Sequence, residues 1–277
     1  MIATMGTADI GDRARALLAA VAPTGARALV CYASARHFLT EADPVWWLTR
    51  FRPLGPSAAA IDPGGGVDLF VTPTSDVARA TEQVPGARIV TGGVEGLERW
   101  AATKGCSGDA VALWGGHKLV ARSAAHLSAM LGALQVVDEA CEEVSRRRDA
   151  ADLVQLEAAS RLADEGLAAL VAAARPGAAE HEVAAAVRSR LRELGAGDTF
   201  LLLSSSRHNL ALHPPTERML AAGDVILIEL SPSVGGMYTQ LCRTYVVGSS
   251  PARLADAYGL LTESLSAGAA TCRPGAV

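Results

Sequence analysis

The chain has 277 residues, half of them hydrophobic, and 25 Lys and Arg against 29 Asp and Glu give a formal net charge of −4. That apolar content can fill one or two packed domains, and the acidic balance excludes an electrostatic case for nucleic acid. Five cysteines, Cys31, Cys106, Cys141, Cys242 and Cys272, lack CxxC or zinc-type spacing and read as reduced thiols.

In chain order, residues 10–22 predict a helix, and Asp9, Asp12 and the arginines that break the apolar run over residues 1–22 are unlike a signal peptide. Strands follow over 28–32, 58–62 and 67–72, the last two joined by Gly64-Gly65-Gly66, then over 87–91, 110–114 and 134–138. Helices over 94–103 and 119–131 are interleaved with them. This alternation predicts an α/β domain over residues 1–145. Trp46-Trp47 with Arg50-Phe51-Arg52 reads as an aromatic packing patch or as a loop that lines a site. Arg146-Arg147-Arg148 is flanked by carboxylates, which predicts a solvated helix entry rather than a phosphate contact.

From residue 146 the pattern changes to α+β. An alanine- and leucine-rich run over 151–174 predicts a helix ended by Arg175-Pro176-Gly177, and 179–194 a second helix closed by Gly195. The run 167–174 is the longest purely apolar one, far too short to span a membrane. A cytoplasmic chain without membrane partners is therefore expected. Ser204-Ser205-Ser206 reads as a strand end facing a pocket, since no nucleophile elbow surrounds it. A last helix over 251–270 is followed by Arg273-Pro274-Gly275-Ala276, which repeats Arg175-Pro176-Gly177-Ala178.

Between them lies a hairpin. Gly223-Asp224 predicts a turn, residues 225–230 a buried strand, 231–236 a loose reversal and 237–247 the return strand. Pairing symmetric about Val234-Gly235 sets Glu229 opposite Gln240. On the hairpin alone these residue types favour a structural hydrogen bond, because one carboxylate and one amide make a poor hard-metal site.

His213-Pro214-Pro215-Thr216, then residues 222–229 (Ala-Gly-Asp-Val-Ile-Leu-Ile-Glu), then residues 236–244 (Gly-Met-Tyr-Thr-Gln-Leu-Cys-Arg-Thr) resemble the pita-bread superfamily of methionine aminopeptidase, aminopeptidase P, prolidase and creatinase. The resemblance puts Glu229 and Gln240 where the metallopeptidases carry two metal-binding aspartates. It implies no metal and no cofactor here: glutamate displaces its carboxylate by a methylene, and glutamine offers only a neutral carbonyl. Creatinase, which works without metal, keeps a strand similar to residues 238–244.

By the same resemblance, residues 1–145 are a creatinase- or prolidase-like amino-terminal domain, with 32–40 matching a strand-and-turn segment and the Trp46-Trp47 loop able to reach a partner's site. Residues 146–277 are the first half of a pita-bread domain, and a homodimer or a missing carboxy-terminal half is expected to complete it. The implied catalytic residues are His213, as proton shuttle, and Glu229; the implied substrate-binding residues are Gln240, Tyr238, His208 and Arg243, with Arg243 also bracing its strand. Histidine titrates near pH 6.5 in model peptides, which suits acid–base work. His37, His117, His126 and His181 have no motif context. The expected function is a metal-independent hydrolase of a small C–N compound, amide or guanidino, or peptide-like; the alternatives are a silent pseudo-peptidase or fragment that binds a partner, and a metal-dependent Xaa-Pro peptidase.

Overall fold

A computed structural model describes residues 9–34, 43–106 and 108–276. The chain divides into two compact units, Met1–Val154 and Gln155–Val277.

The first unit contains α1 (Ile10–Val21), β1 (Ala28–Ala33), α2 (Pro44–Thr49), β2 (Ser57–Ile61), β3 (Val67–Val71), α3 (Val77–Gln83), β4 (Arg88–Thr91), α4 (Leu97–Lys104), β5 (Val111–Trp114), α5 (Ala121–Leu131), β6 (Gln135–Val136) and α6 (Asp138–Ser145). Its six strands form one sheet in the order β4-β3-β2-β1-β5-β6. β1 to β3 pair antiparallel, β2 and β3 through the glycine turn at 64–66, whereas β4, β5 and β6 join in parallel through helical crossovers. Every residue of β1, β2, β3 and β5 is buried. Strands covered on both faces read as near-continuous apolar runs, and these do apart from Ser57 and Asp68, the latter paired with Arg88.

Two departures from the sequence reading have local causes. The strand expected over 134–138 is only Gln135–Val136, because Asp138 opens α6 and its carboxylate accepts from the backbone N–H groups of Gly115 (2.7 Å), Gly116 (3.1 Å) and His117 (2.9 Å). The Trp46-Trp47 segment is the helix α2, started by Asp43, whose side chain accepts from Trp46 N at 2.9 Å, and by Pro44. Both tryptophans are buried, Trp47 edge-on to Trp114 with centroids 5.7 Å apart. The packing-patch reading describes them. The matching segment 32–40 runs mostly, and His37 wholly, outside the described residues.

The second unit follows α7 (Ala150–Ala173) with α8 (Glu180–Glu193), β7 (Thr199–Ser206), β8 (Val225–Val234), β9 (Met237–Tyr238), β10 (Leu241–Val246) and α9 (Ala252–Thr271). The sheet order is β10-β8-β7, with β9 also paired to β8. One face, carrying Leu201, Leu203, Ile226, Ile228 and Leu230, packs on Leu170 of α7 and Val183, Val187 and Leu191 of α8. Gly166 lets α7 approach closely, since a Cβ there would stand 2.7 Å from Leu230 Cδ2. No residue of α9 is buried, and its Leu260, Leu261 and Leu265 are 68–71% exposed.

The hairpin departs from its expected register. Gly235 (φ 57°) and Gly236 (φ 91°) both occupy the left-handed region and form a two-residue turn. Residues 231–234 therefore stay in β8 instead of looping. Val234 pairs with Met237, Ser233 with Tyr238 and Glu229 with Cys242, two positions along from the expected pairing.

Candidate functional site

The sheet face opposite the helices carries the hairpin's polar residues. Cross-strand partners share a face, so Glu229 has Leu202 on one side and Cys242 on the other. Leu202, Leu227 and Glu229 are half-buried, while Phe200, Cys242 and Thr244 are exposed. The shifted register does not separate Glu229 from Gln240. They become diagonal neighbours, and the Gln240 side-chain nitrogen donates a short hydrogen bond to Glu229 Oε1.

The hairpin tip is held from α7. The Gln155 side-chain nitrogen donates to Val234 O (3.2 Å) and Gly235 O (3.3 Å), and Ser160 Oγ lies 3.1 Å from Thr239 Oγ1. Gly235 has φ 57°, and a Cβ there would stand 2.6 Å from the Gln155 side-chain amide. Tyr238 donates its hydroxyl to Asp198 Oδ2 at 3.0 Å, at the start of β7. Arg243 opposes Ile228, which turns it to the helix-side face, away from Glu229. It is exposed, and its guanidinium donates to the Cys242 carbonyl at 2.9 Å.

The two candidate histidines lie in the segment between β7 and β8. Both side chains are exposed. His213 Nδ1 is 2.8 Å from Pro214 O. A carbonyl can only accept, so Nδ1 carries the proton, and in the neutral ring Nε2 is left as the accepting atom. The His213 carbonyl accepts from Leu203 N at 3.1 Å, along the outer edge of β7. Among the described residues, no hydrogen bond or ion pair joins His213 or His208 to the Glu229–Gln240 pair.

Sequence reasoning missed what holds this segment. Glu180, the first residue of α8, is fully buried and accepts four hydrogen bonds: Ser205 N and Oγ, both 2.7 Å, and Thr216 N (3.0 Å) and Oγ1 (2.6 Å). Ser205 is thus a core-side residue rather than a pocket residue. Arg218 Nη1 donates to Ser205 Oγ and to the buried Asp224 Oδ2, each at 2.7 Å. Burial alone would push the Glu180 carboxyl up, but the bonds from Thr216 and Ser205 outweigh it and hold the group below the usual range. Asp224 behaves likewise: Arg218 and Ala221 N outweigh the effect of burial.

Both folded-state values are depressed, so the stabilisation is fully present above the ordinary carboxylate pKa of about 4 and is lost as pH falls through the folded values. The unfolding midpoint of the second unit is therefore expected to drop between about pH 5 and pH 2. A midpoint flat across that window, followed by circular dichroism, would contradict the assignment of these buried carboxylates as ionised.

The fold defines the carboxy-terminal unit as part of a pita-bread-type domain. Residues 154–277 match the model of metallopeptidase family M24, so the carboxy-terminal part of the chain is similar to that family. A peptidase of Bacillus subtilis (strain 168), itself uncharacterized, is 22% identical over 76% of the chain; the chain spans 61% of that relative's length. Among solved structures, an Xaa-Pro dipeptidase from Bacillus anthracis superposes with a TM-score of 0.77 at 18% identity, over 92% of this chain and 70% of that one. A prolidase from Pyrococcus horikoshii OT3 gives 0.76 at 18% identity, over 91% and 70%. At such identities these structures establish the fold alone.

The family's name implies a metal, and the residues present do not fit one. Glu229 is engaged by an amide nitrogen, which cannot ligate. Burial and Glu229 itself push the Cys242 thiol up, away from the thiolate a soft metal needs. Among the described residues, no group of three or more His, Cys, Asp or Glu side chains could hold a metal ion. Among those residues, too, no helix is long and apolar enough to cross a membrane.

Proposed function

We propose that the chain contributes part of the active site of a metal-independent hydrolase of a small C–N compound, amide or guanidino. The observation that carries this reading is the Glu229–Gln240 hydrogen bond, which occupies the two family positions with a carboxylate and an amide. Such a pair accepts from, and donates to, a planar N–C–O or N–C–N group, and Gln240 fixes the orientation of Glu229 while its second amide proton stays free. The half-buried Leu202 and Leu227 beside Glu229 supply apolar walls. In the reaction, His213 Nε2 takes a proton from the attacking water and returns it to the leaving nitrogen, so that water adds across the C–N bond. Tyr238 and His208 complete the binding surface.

A second reading, a catalytically silent relative that binds a ligand or partner, is favoured by the exposure of His213 and by its lack of a hydrogen bond to the pair. The names of the similar structures support a third, Xaa-Pro peptide hydrolysis, with which the donor chemistry at 229 and 240 disagrees. Turnover of an Xaa-Pro dipeptide and of a small guanidino acid by wild type, His213→Ala, Glu229→Ala and Gln240→Ala separates the three. Loss in all three variants supports the hydrolase, and wild-type rates in all three sink the assignment.

A further inference from the structure

We propose that buried Glu180 is a positioning residue for His213, acting through Thr216 across a stiff two-proline strut. This rests on the reading of His213 as the acid–base group.

Between His213 and Thr216 lie only Pro214 and Pro215. Each proline ring fixes its own φ near −65° and restricts the residue before it to extended backbone. The four-residue path therefore has little freedom once one end is fixed. Both ends are fixed. At the near end the His213 carbonyl accepts from Leu203 N (3.1 Å). At the far end Thr216 gives both its N–H and its hydroxyl to Glu180 Oε2 (3.0 and 2.6 Å).

The anchor is itself immobilised. Glu180 Oε1 is occupied by Ser205 N and Oγ, so one carboxylate ties the strand β7, two residues past Leu203, to the start of the strut. Glu180 N donates to Arg218 O and His181 N to Thr216 O, both at 3.0 Å, closing the same segment against α8 from the backbone side. Four donors converging on one fully buried carboxylate are more than a helix start requires, since Glu182 Oε2 already accepts from Ala179 N at 2.9 Å there. The effect is to set the depth and direction of an exposed imidazole from a group it does not touch. Displacement of a catalytic group by about 1 Å costs on the order of 100-fold in rate.

Glu180→Gln keeps the shape but turns an NH₂ toward one pair of donors, and Thr216→Val removes the hydroxyl's bond to Glu180 and the one it accepts from Arg218 N while sparing the bonds from Ser205 to Glu180. The tests are ¹⁵N shifts of the His213 ring, amide exchange at Thr216, and kcat and KM on an Xaa-Pro dipeptide and a small guanidino acid. The expected result is that both variants change the His213 ring shifts and lower kcat by about 10- to 100-fold with KM within about twofold, and that Glu180→Asp restores part of the loss. Faster exchange at Thr216 with unchanged His213 shifts and kcat would overturn the proposal and leave Glu180 a purely structural post. If wild type turns over neither probe, the hydrolase reading fails, and the ring shifts alone decide whether Glu180 positions the histidine. Should Glu180→Gln not fold, Thr216→Val decides.

Discussion

Replacing His213 by alanine is expected to lower kcat by about 10²- to 10⁴-fold, the range for loss of a general acid–base group, without moving the unfolding midpoint. The second half follows from geometry. The His213 side chain is exposed and, among the described residues, bonds only the adjacent Pro214 carbonyl, whereas the anchoring bond to Leu203 uses the histidine carbonyl, which alanine retains. Exposed substitutions of this kind change stability by less than about 0.5 kcal/mol. Steady-state kinetics beside a denaturant titration separate the two effects. An unchanged kcat would remove His213 from the mechanism; a lost rate with a lowered midpoint would assign the change to folding.

Asp152→Ala is expected to destabilise the first unit by roughly 3–5 kcal/mol, the cost of breaking a buried ion pair by removing one partner. Asp152 is 1% exposed and accepts from Arg50, whose side chain is 17% exposed. It also takes Asp149 N at 3.3 Å while Asp149 Oδ1 takes Asp152 N at 2.8 Å, a reciprocal cap on the start of α7. Asp149 is in turn held by Arg13 at 2.5 Å. Without Asp152, the carboxylate left to Arg50 among the described residues is Asp149 at 3.8 Å, and its Nη1 is already buried without a partner. Burial and the nearby Arg13 lower the Arg50 guanidinium to about 10, which marks how little charge compensation it has to spare. All four tryptophans, Trp46, Trp47, Trp100 and Trp114, lie in this unit, so intrinsic fluorescence follows its unfolding. A loss below about 1 kcal/mol, the scale of an exposed pair, would contradict the assignment.

Elements with strong local patterning were legible in the sequence. The helices over 151–174 and 179–194 stand as Ala150–Ala173 and Glu180–Glu193, because alanine-rich periodicity and the Arg175-Pro176-Gly177 and Gly195 stops act locally. Short elements such as α2 and α6 were not, since each depends on one capping or nested carboxylate, Asp43 or Asp138, that acts only in three dimensions. The hairpin shows both sides. Two glycines in succession were visible, but Ser231, Pro232 and Ser233 imitate turn composition, and only the positive φ at both Gly235 and Gly236 decides that the turn is two residues long. The Glu229–Gln240 contact survived the change of register because diagonal neighbours two positions apart share a face. The Glu180 network left no sequence signal: its partners lie 25 and 36 residues away.

Titration with Mn²⁺, Co²⁺ and Zn²⁺ by isothermal calorimetry, with metal content of the purified chain measured in parallel, tests the central claim that positions 229 and 240 form a hydrogen-bonded pair instead of a metal centre. The account predicts no stoichiometric binding, and the same result for Gln240→Ala. Stoichiometric metal that Gln240→Ala or Glu229→Ala abolishes would contradict it and return the chain to the metallopeptidases.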